Sequence, residues 1–200
     1  MTVMEKLVGI GSKSSREKDD FYSTPSKEAQ SLFDHESFTG SIWECACGDG
    51  AISKTALSNG YDVLSTDLVD RGYGASGVDF LMEYKSIAPN IVTNPPFKLA
   101  KEFVEHALAL VSEFPGNPKG RKVAMLLKLG FLEGPTKAHI VNPEAGLARV
   151  HIFRRRVSFL KGGTESVSMK GRGGMIAFAW IIWEIGFSGV PTLHWIEGEK

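Results

Sequence analysis

Trp43-Glu44-Cys45-Ala46-Cys47-Gly48-Asp49-Gly50 carries an apolar strand into a Gly-x-Gly turn that opens a helix. Glycine suits such a turn because the backbone must bend tightly and let a ligand approach the free amides of the helix N-terminus. A Gly-x-Gly after a strand also serves plain strand-to-helix turns, so the surroundings decide. Ser53 stands where a dinucleotide fingerprint would place its third glycine, and Glu44, ahead of the glycines, is foreign to that fingerprint. The stretch therefore favours an adenosyl ligand of another kind. Asp67 ends the next strand, where a carboxylate can accept both hydroxyls of a ribose; a surface Asp in a turn is the other reading.

Outward from this turn the chain alternates. Strands are expected over 41–46, 62–66, 91–93 and 123–129, and a helix over 51–59 closed by Gly60. The clearest helix is 98–112, with Leu99, Phe103, Ala107, Leu110 and Val111 on one face and Lys98, Lys101, Glu102, Glu105 and His106 off it. Thr24-Pro25 reads as a helix start, since Pro is tolerated at the first helical position and Thr can cap; that helix should end near Glu36. Three further strands, 149–159, 175–184 and 192–196, close the chain with no long helical pattern between the last two. The expected fold is α/β: a Rossmann-like doubly wound, mostly parallel, seven-stranded sheet with an antiparallel C-terminal edge. Residues 1–20, with a Gly/Ser/Lys cluster and little apolar periodicity, are expected to form a flexible arm, and 21–200 a single domain.

The chain has 200 residues, 42% of them hydrophobic, and 23 basic against 23 acidic side chains, so any polyanion site must be local. Cys45 and Cys47 have no partners at a structural-zinc spacing, and the five histidines show no metal or triad pattern, so no metal is expected. The longest apolar run, residues 174–185, is shorter than the roughly 20 residues of a membrane span. The N-terminus has no apolar leader core. A soluble cytoplasmic protein with no membrane partner is expected.

Ile91-Val92-Thr93-Asn94-Pro95-Pro96-Phe97 is the stretch richest in chemistry. Its prolines remove two backbone donors and stiffen the turn, so the Asn94 amide oxygen and the Pro95 carbonyl can serve as acceptors in a cleft. With Glu44, Gly48 and Gly50 upstream, the sequence resembles the amino-group methyltransferases of the class I S-adenosylmethionine fold, marked by an acid, a Gly-x-Gly loop and a downstream Asn/Asp-Pro-Pro-Tyr/Phe. Tyr22-Ser23-Thr24-Pro25 resembles the family's N-terminal cofactor-carboxylate motif, Asp67 its ribose-binding acid, and Val78-Asp79-Phe80 the segment holding the adenine ring. The chain looks most like small orphan DNA N6-adenine methyltransferases of the kind common in phage and prophage genomes, without a separate target-recognition domain.

The resemblance implies S-adenosylmethionine as cofactor, bound by Tyr22, Thr24, Glu44, Gly48, Gly50, Asp67, Asp79 and Phe80. It also implies methyl transfer to an exocyclic amine by Asn94, Pro95 and Phe97, with Pro96 against the substrate. Adenine N6 in DNA is the expected target. RNA adenine and a protein glutamine amide use the same motif and stay open as alternatives, as does a cofactor-binding regulatory protein without turnover. Between Arg149 and Arg172 the chain is strongly basic, and Arg154, Arg155, Arg156, Lys170 and Arg172 are candidates for phosphate contact; a solvated charged face is the other explanation. Cys47 sits in the glycine loop and does not fit a carbon-methylating nucleophile.

Overall fold

The computed structural model describes residues 21–157, 159–161 and 176–197, with the side chains of 160 and 161 left aside. The expected N-terminal arm, together with Lys170 and Arg172, lies outside the described residues.

Strict alternation of apolar side chains builds the sheet and divides the core. In β2 (Ile42–Glu44), β5 (Asn90–Thr93), β6 (Lys122–Lys128) and β9 (Phe178–Glu184) successive side chains enter opposite layers. Ile42, Val92, Leu126 and Trp180 pack with Ala29 and Leu32 of α1 (Ser26–Phe33) and Ile52 and Ala56 of α2 (Ala51–Ser58). Trp43, Ile91, Met125 and Ile181 pack on the other side against Phe103, Val104 and Ala107 of α3 (Ala100–Glu113). Burial on both faces explains why these strands read as continuous apolar runs.

The remaining strands are β1 (Tyr22–Ser23), β3 (Val63–Asp67), β4 (Ala75–Ser76), β7 (Leu147–Phe153), β8 (Leu160–Lys161) and β10 (Thr192–Ile196). The main sheet has eight strands in the order β10-β7-β9-β6-β5-β2-β3-β4. It is mostly parallel; the antiparallel C-terminal part comes from β9, which runs against both β6 and β7, while β10 pairs parallel with β7. The strand beyond the seven expected is β4, two exposed residues with no apolar pattern to announce them. A second small sheet pairs β1 with β8, Ser23 opposite Leu160.

Three helix boundaries differ from the sequence reading. The first helix stops at Phe33 rather than near Glu36, because the amides of both His35 and Glu36 turn back to the Leu32 carbonyl. Glu36 thereby points inward to Lys122, Arg149 and His151. Nor does Thr24 cap α1: Pro25 occupies the N-cap in an extended conformation, and no side chain caps the helix. The third helix starts at Ala100 after a 3₁₀ turn over Phe97–Leu99, so Leu99 leaves the buried face and is 41% exposed.

Parallel pairing brings the C-terminal ends of β2, β3, β5, β6 and β7 to one edge of the sheet. The glycine loop, Asp67, the Asn-Pro-Pro-Phe turn and Arg154–Arg156 all follow from those ends, as ligand-binding segments do in open α/β sheets. Among the described residues no helix is long and apolar enough to cross a membrane.

Candidate functional site

At that edge lies a cavity of about 230 Å³. Its lining contains Tyr22, Thr24, Glu44, Gly48, Asp67, Asp79, Phe80 and the whole of Asn94-Pro95-Pro96-Phe97. Residues as far apart in the chain as Tyr22 and Phe97 are thus gathered in one place. Gly50 does not line it; with φ +79° it forms the N-cap of α2, and a Cβ there would lie 2.3 Å from the Tyr73 ring.

Gly48, Asp67 and Asp79 are each tied in place by a backbone hydrogen bond. Gly48 has φ +56°, and an added Cβ would lie 2.4 Å from the Phe21 ring, so the loop passes under that ring only as glycine. The Gly48 amide donates to Asp67 Oδ2 at 2.8 Å and the Val69 amide to Oδ1 at 2.9 Å. A carboxylate oxygen accepts more than one hydrogen bond, so Asp67 can hold the loop and still accept from a ligand. Asp79 Oδ1 accepts from the Leu81 amide at 3.1 Å and so starts the 3₁₀ turn that places Phe80 edge-on to Trp43.

Glu44 is fully buried and accepts from the Ser53 amide at 2.8 Å and from the Ser53 hydroxyl, which also meets Ser65 Oγ at 2.6 Å. Burial, with Asp49 and Asp67 nearby, pushes its carboxyl up to about 8 against the pull of the Ser53 hydrogen bonds. At neutral pH this carboxyl is mostly protonated. Burial also pushes the Cys47 thiol up to about 12, which leaves it without nucleophilic thiolate character.

Asn94 is held in one orientation. Its Nδ2 donates to the Tyr22 carbonyl at 3.2 Å and to Thr24 Oγ1 at 3.1 Å. A carbonyl can only accept, so the end of the amide facing Tyr22 must be the nitrogen. Asn94 Oδ1 is left buried and without a hydrogen-bond partner. Among the described residues no backbone amide pairs with the Pro95 carbonyl, whereas the Pro96 carbonyl takes the Leu99 amide. The unpartnered Asn94 oxygen thus stands next to a Pro95 carbonyl that no backbone amide of the described residues takes.

Phe21, Tyr73, Lys128, Phe159 and Phe178 have no site role in the sequence reading, whereas Tyr22, Ser23 and Phe97 belong to its motifs. Phe97 stacks on Tyr22, with centroids 5.7 Å apart, and touches Phe159 and Phe178, while Lys128 Nζ lies 4.9 Å above its ring. Ser23 Oγ donates to Asp49 Oδ2 at 2.6 Å and ties the N-terminal strand to the glycine loop. Phe21 and Tyr73 close over that loop. Only Lys128 carried a usable signal, since it ends a strand on the ligand edge.

Arg154, Arg155 and Arg156 are exposed just beyond β7; they share the edge with the cavity but do not line it. Arg154 reaches Glu197 at 3.3 Å in solvent. Among the described residues no cluster of His, Cys, Asp and Glu could hold a metal ion.

No protein-family model and no curated protein sequence matches the chain. Its fold, however, is that of solved Rossmann-like methyltransferase structures. The modification subunit of a candidate type I restriction enzyme from Vibrio vulnificus superposes with a TM-score of 0.58 at 14% identity, over 96% of this chain and 49% of that one. A candidate RNA methyltransferase from Pyrococcus horikoshii gives 0.53 at 14% identity, over 92% of this chain and 98% of that one. The M protein of the type I restriction enzyme EcoKI gives 0.53 at 11% identity, over 82% of this chain and 44% of that one. The chain thus spans about half the length of the first structure and nearly all of the second.

Proposed function

We propose that this chain transfers a methyl group from S-adenosylmethionine to an exocyclic amine, with adenine N6 in DNA as the acceptor. The observation that carries the reading is the buried, unpartnered Oδ1 of Asn94, a residue that lines the same cavity as Gly48 of the glycine loop. A buried acceptor without a partner is costly unless a ligand supplies the donor.

S-adenosylmethionine, when bound, would supply a methyl group from its sulfonium sulfur, the carbon–sulfur bond breaking as the carbon–nitrogen bond forms and S-adenosylhomocysteine leaving as a neutral thioether. Gly48, Asp67, Asp79 and Phe80, which line the cavity, would hold it. The amine of adenine is a poor nucleophile because its lone pair is delocalised into the ring. Asn94 Oδ1 and the Pro95 carbonyl accept its two hydrogens, which favours a pyramidal nitrogen and stabilises the positive charge it acquires as the new bond to carbon forms. The alkylated nitrogen then loses one proton to water, and no dedicated strong base is required. Tyr22 and Phe97 line the cavity and would provide the aromatic wall against which a flipped base is held, with Phe159 packed edge-on against both.

DNA is favoured by the exposed Arg154–Arg156 run on the same edge and by the fold shared with modification subunits. Labelled methyl transfer to unmethylated mixed-sequence DNA, total RNA and tryptic peptides is expected to label the DNA. Label in RNA or peptide alone would move the substrate while keeping the chemistry, and label in none of the three would reject the enzyme.

Cofactor binding is expected to need no nucleic acid, because its residues hold one another in place. Asp67→Ala removes a charged acceptor and frees the Gly48 and Val69 amides. Affinity for S-adenosylmethionine should fall by about 1.5–3 kcal/mol. Calorimetry showing an unchanged affinity would remove Asp67 from the cofactor site.

A further inference from the structure

We infer that Thr24 is a positioning residue for methyl transfer: its hydroxyl, together with the Tyr22 carbonyl, holds the Asn94 amide so that Oδ1 stays free as the acceptor for the substrate amine. The inference rests on the amino-methyltransferase reading above and deepens it by assigning Thr24 to the acceptor side of the site.

Thr24 is 5% exposed, lines the cavity, and lies seventy residues from Asn94 in sequence. Its place before Pro25 suggests a helix cap, but no side chain caps α1, so its hydroxyl is free of that duty. What it does is accept one of the two Nδ2 hydrogens of Asn94, the other going to the Tyr22 carbonyl.

The two anchors act differently. The carbonyl of Tyr22 has no hydrogen, so it sets which end of the amide is nitrogen and opposes a flip that would bring oxygen against oxygen. It cannot by itself fix the amide plane, because the terminal torsion of Asn is broad and one hydrogen bond leaves it free to swing. Thr24 supplies the second fixed point. With both hydrogens engaged, the oxygen is held as the free end of the amide in the cavity lining, before any substrate arrives.

The anchors are themselves braced. Tyr22 and Ser23 form β1, which pairs with β8 on one side, and Ser23 Oγ bonds Asp49 of the glycine loop. The segment that orients the acceptor amide is thus fastened to the loop that faces the methyl donor. Such preorganisation matters to rate because the amide need not reorient as charge develops on the amine.

Thr24→Val keeps the shape and deletes the hydroxyl; Thr24→Ser keeps the hydroxyl. Turnover on unmethylated mixed-sequence DNA at saturating S-adenosylmethionine should fall about tenfold in Thr24→Val, the effect of one lost hydrogen bond acting on the chemical step, and return close to the original in Thr24→Ser. The calorimetric affinity for S-adenosylmethionine should stay within about twofold, and Thr24→Val should add nothing to Asn94→Ala, since the hydroxyl acts through that amide. In the ligand-free protein, NMR should show slow exchange of the Asn94 side-chain amide hydrogens, faster in Thr24→Val and restored in Thr24→Ser. Unchanged turnover in Thr24→Val, a loss confined to cofactor affinity, a full further loss on the Asn94→Ala background, or identical amide exchange in all three proteins would each overturn the assignment. Full turnover in Asn94→Ala, by contrast, would overturn the amine-site reading itself, and absence of label in DNA the choice of DNA, while amide exchange still decides what Thr24 does to Asn94.

Discussion

Asn94→Ala is expected to reduce methyl transfer by about 100- to 1000-fold while leaving affinity for S-adenosylmethionine nearly unchanged. The split follows from where the amide sits. Its nitrogen is spent on Tyr22 and Thr24, and its oxygen is the unspent group. A contact to the amine strengthens as that nitrogen becomes positive, so its loss falls on kcat more than on ground-state binding. The glycine loop and Asp67 are anchored by other bonds and survive the substitution. Asn94→Asp is the informative companion, since a carboxylate keeps an oxygen for the amine but cannot donate to the Tyr22 carbonyl. Single-turnover rates with labelled cofactor measure the effect. If Asn94→Ala kept most of its turnover on DNA, RNA and protein alike, this turn would not be the amine site.

Much of this arrangement was legible in the sequence because it depends on local chemistry. A Gly-x-Gly between an apolar strand and a helix, and an Asn-Pro-Pro turn at a strand end, declare both a conformation and a set of free backbone groups wherever they occur. Strands buried on both faces and alternating with helices declare a parallel sheet, so the order of motifs along the chain also placed them on one edge; β9, equally buried yet antiparallel, shows that burial alone does not. The unread parts are those that depend on distant partners. Phe21 and Tyr73 look like ordinary aromatics until the fold lays them over Gly48 and Gly50. Thr24 reads as a cap because its neighbours are those of a cap; only the return of Asn94 from the far side of the sequence gives its hydroxyl other work. Leu99 fits the helical stripe by spacing, yet the 3₁₀ turn imposed by two prolines rotates it out toward the cavity. β4 has no apolar residue facing the core and so left no periodic trace.

Glu36→Gln is expected to destabilise the fold by about 3–5 kcal/mol and to lower the melting temperature by roughly 6–20 °C, although the residue lines no part of the cavity. In sequence it is an acid near the expected end of the first helix, at the i, i+3, i+4, i+7 spacing of Ala29, Leu32 and Phe33. In the fold its side chain is buried and takes Lys122 Nζ at 2.7 Å, His151 Nε2 at 2.8 Å and both Nε and Nη2 of Arg149, which also reaches Glu184 at 2.6 Å. One carboxylate thus fastens the end of α1 to β6, β7 and β9. Neutralising it leaves the half-buried Lys122 and Arg149 short of their counter-charge, and that loss costs more than an exposed ion pair contributes. Burial alone would push this carboxyl up, but the hydrogen bonds from His151, Arg149 and Lys122 prevail and bring it from 4.5 down to about 2. A folded-state value below the unfolded one contributes stability that is complete above about 4.5 and is lost as pH falls toward about 2, on the order of 3 kcal/mol in all. Urea unfolding of the original protein and Glu36→Gln should therefore show a stability gap that is constant from pH 7 to about 5 and narrows steadily below 4.5. A gap under about 1 kcal/mol at pH 7, or one that does not narrow in acid, would show that the carboxylate is not the clamp its contacts describe.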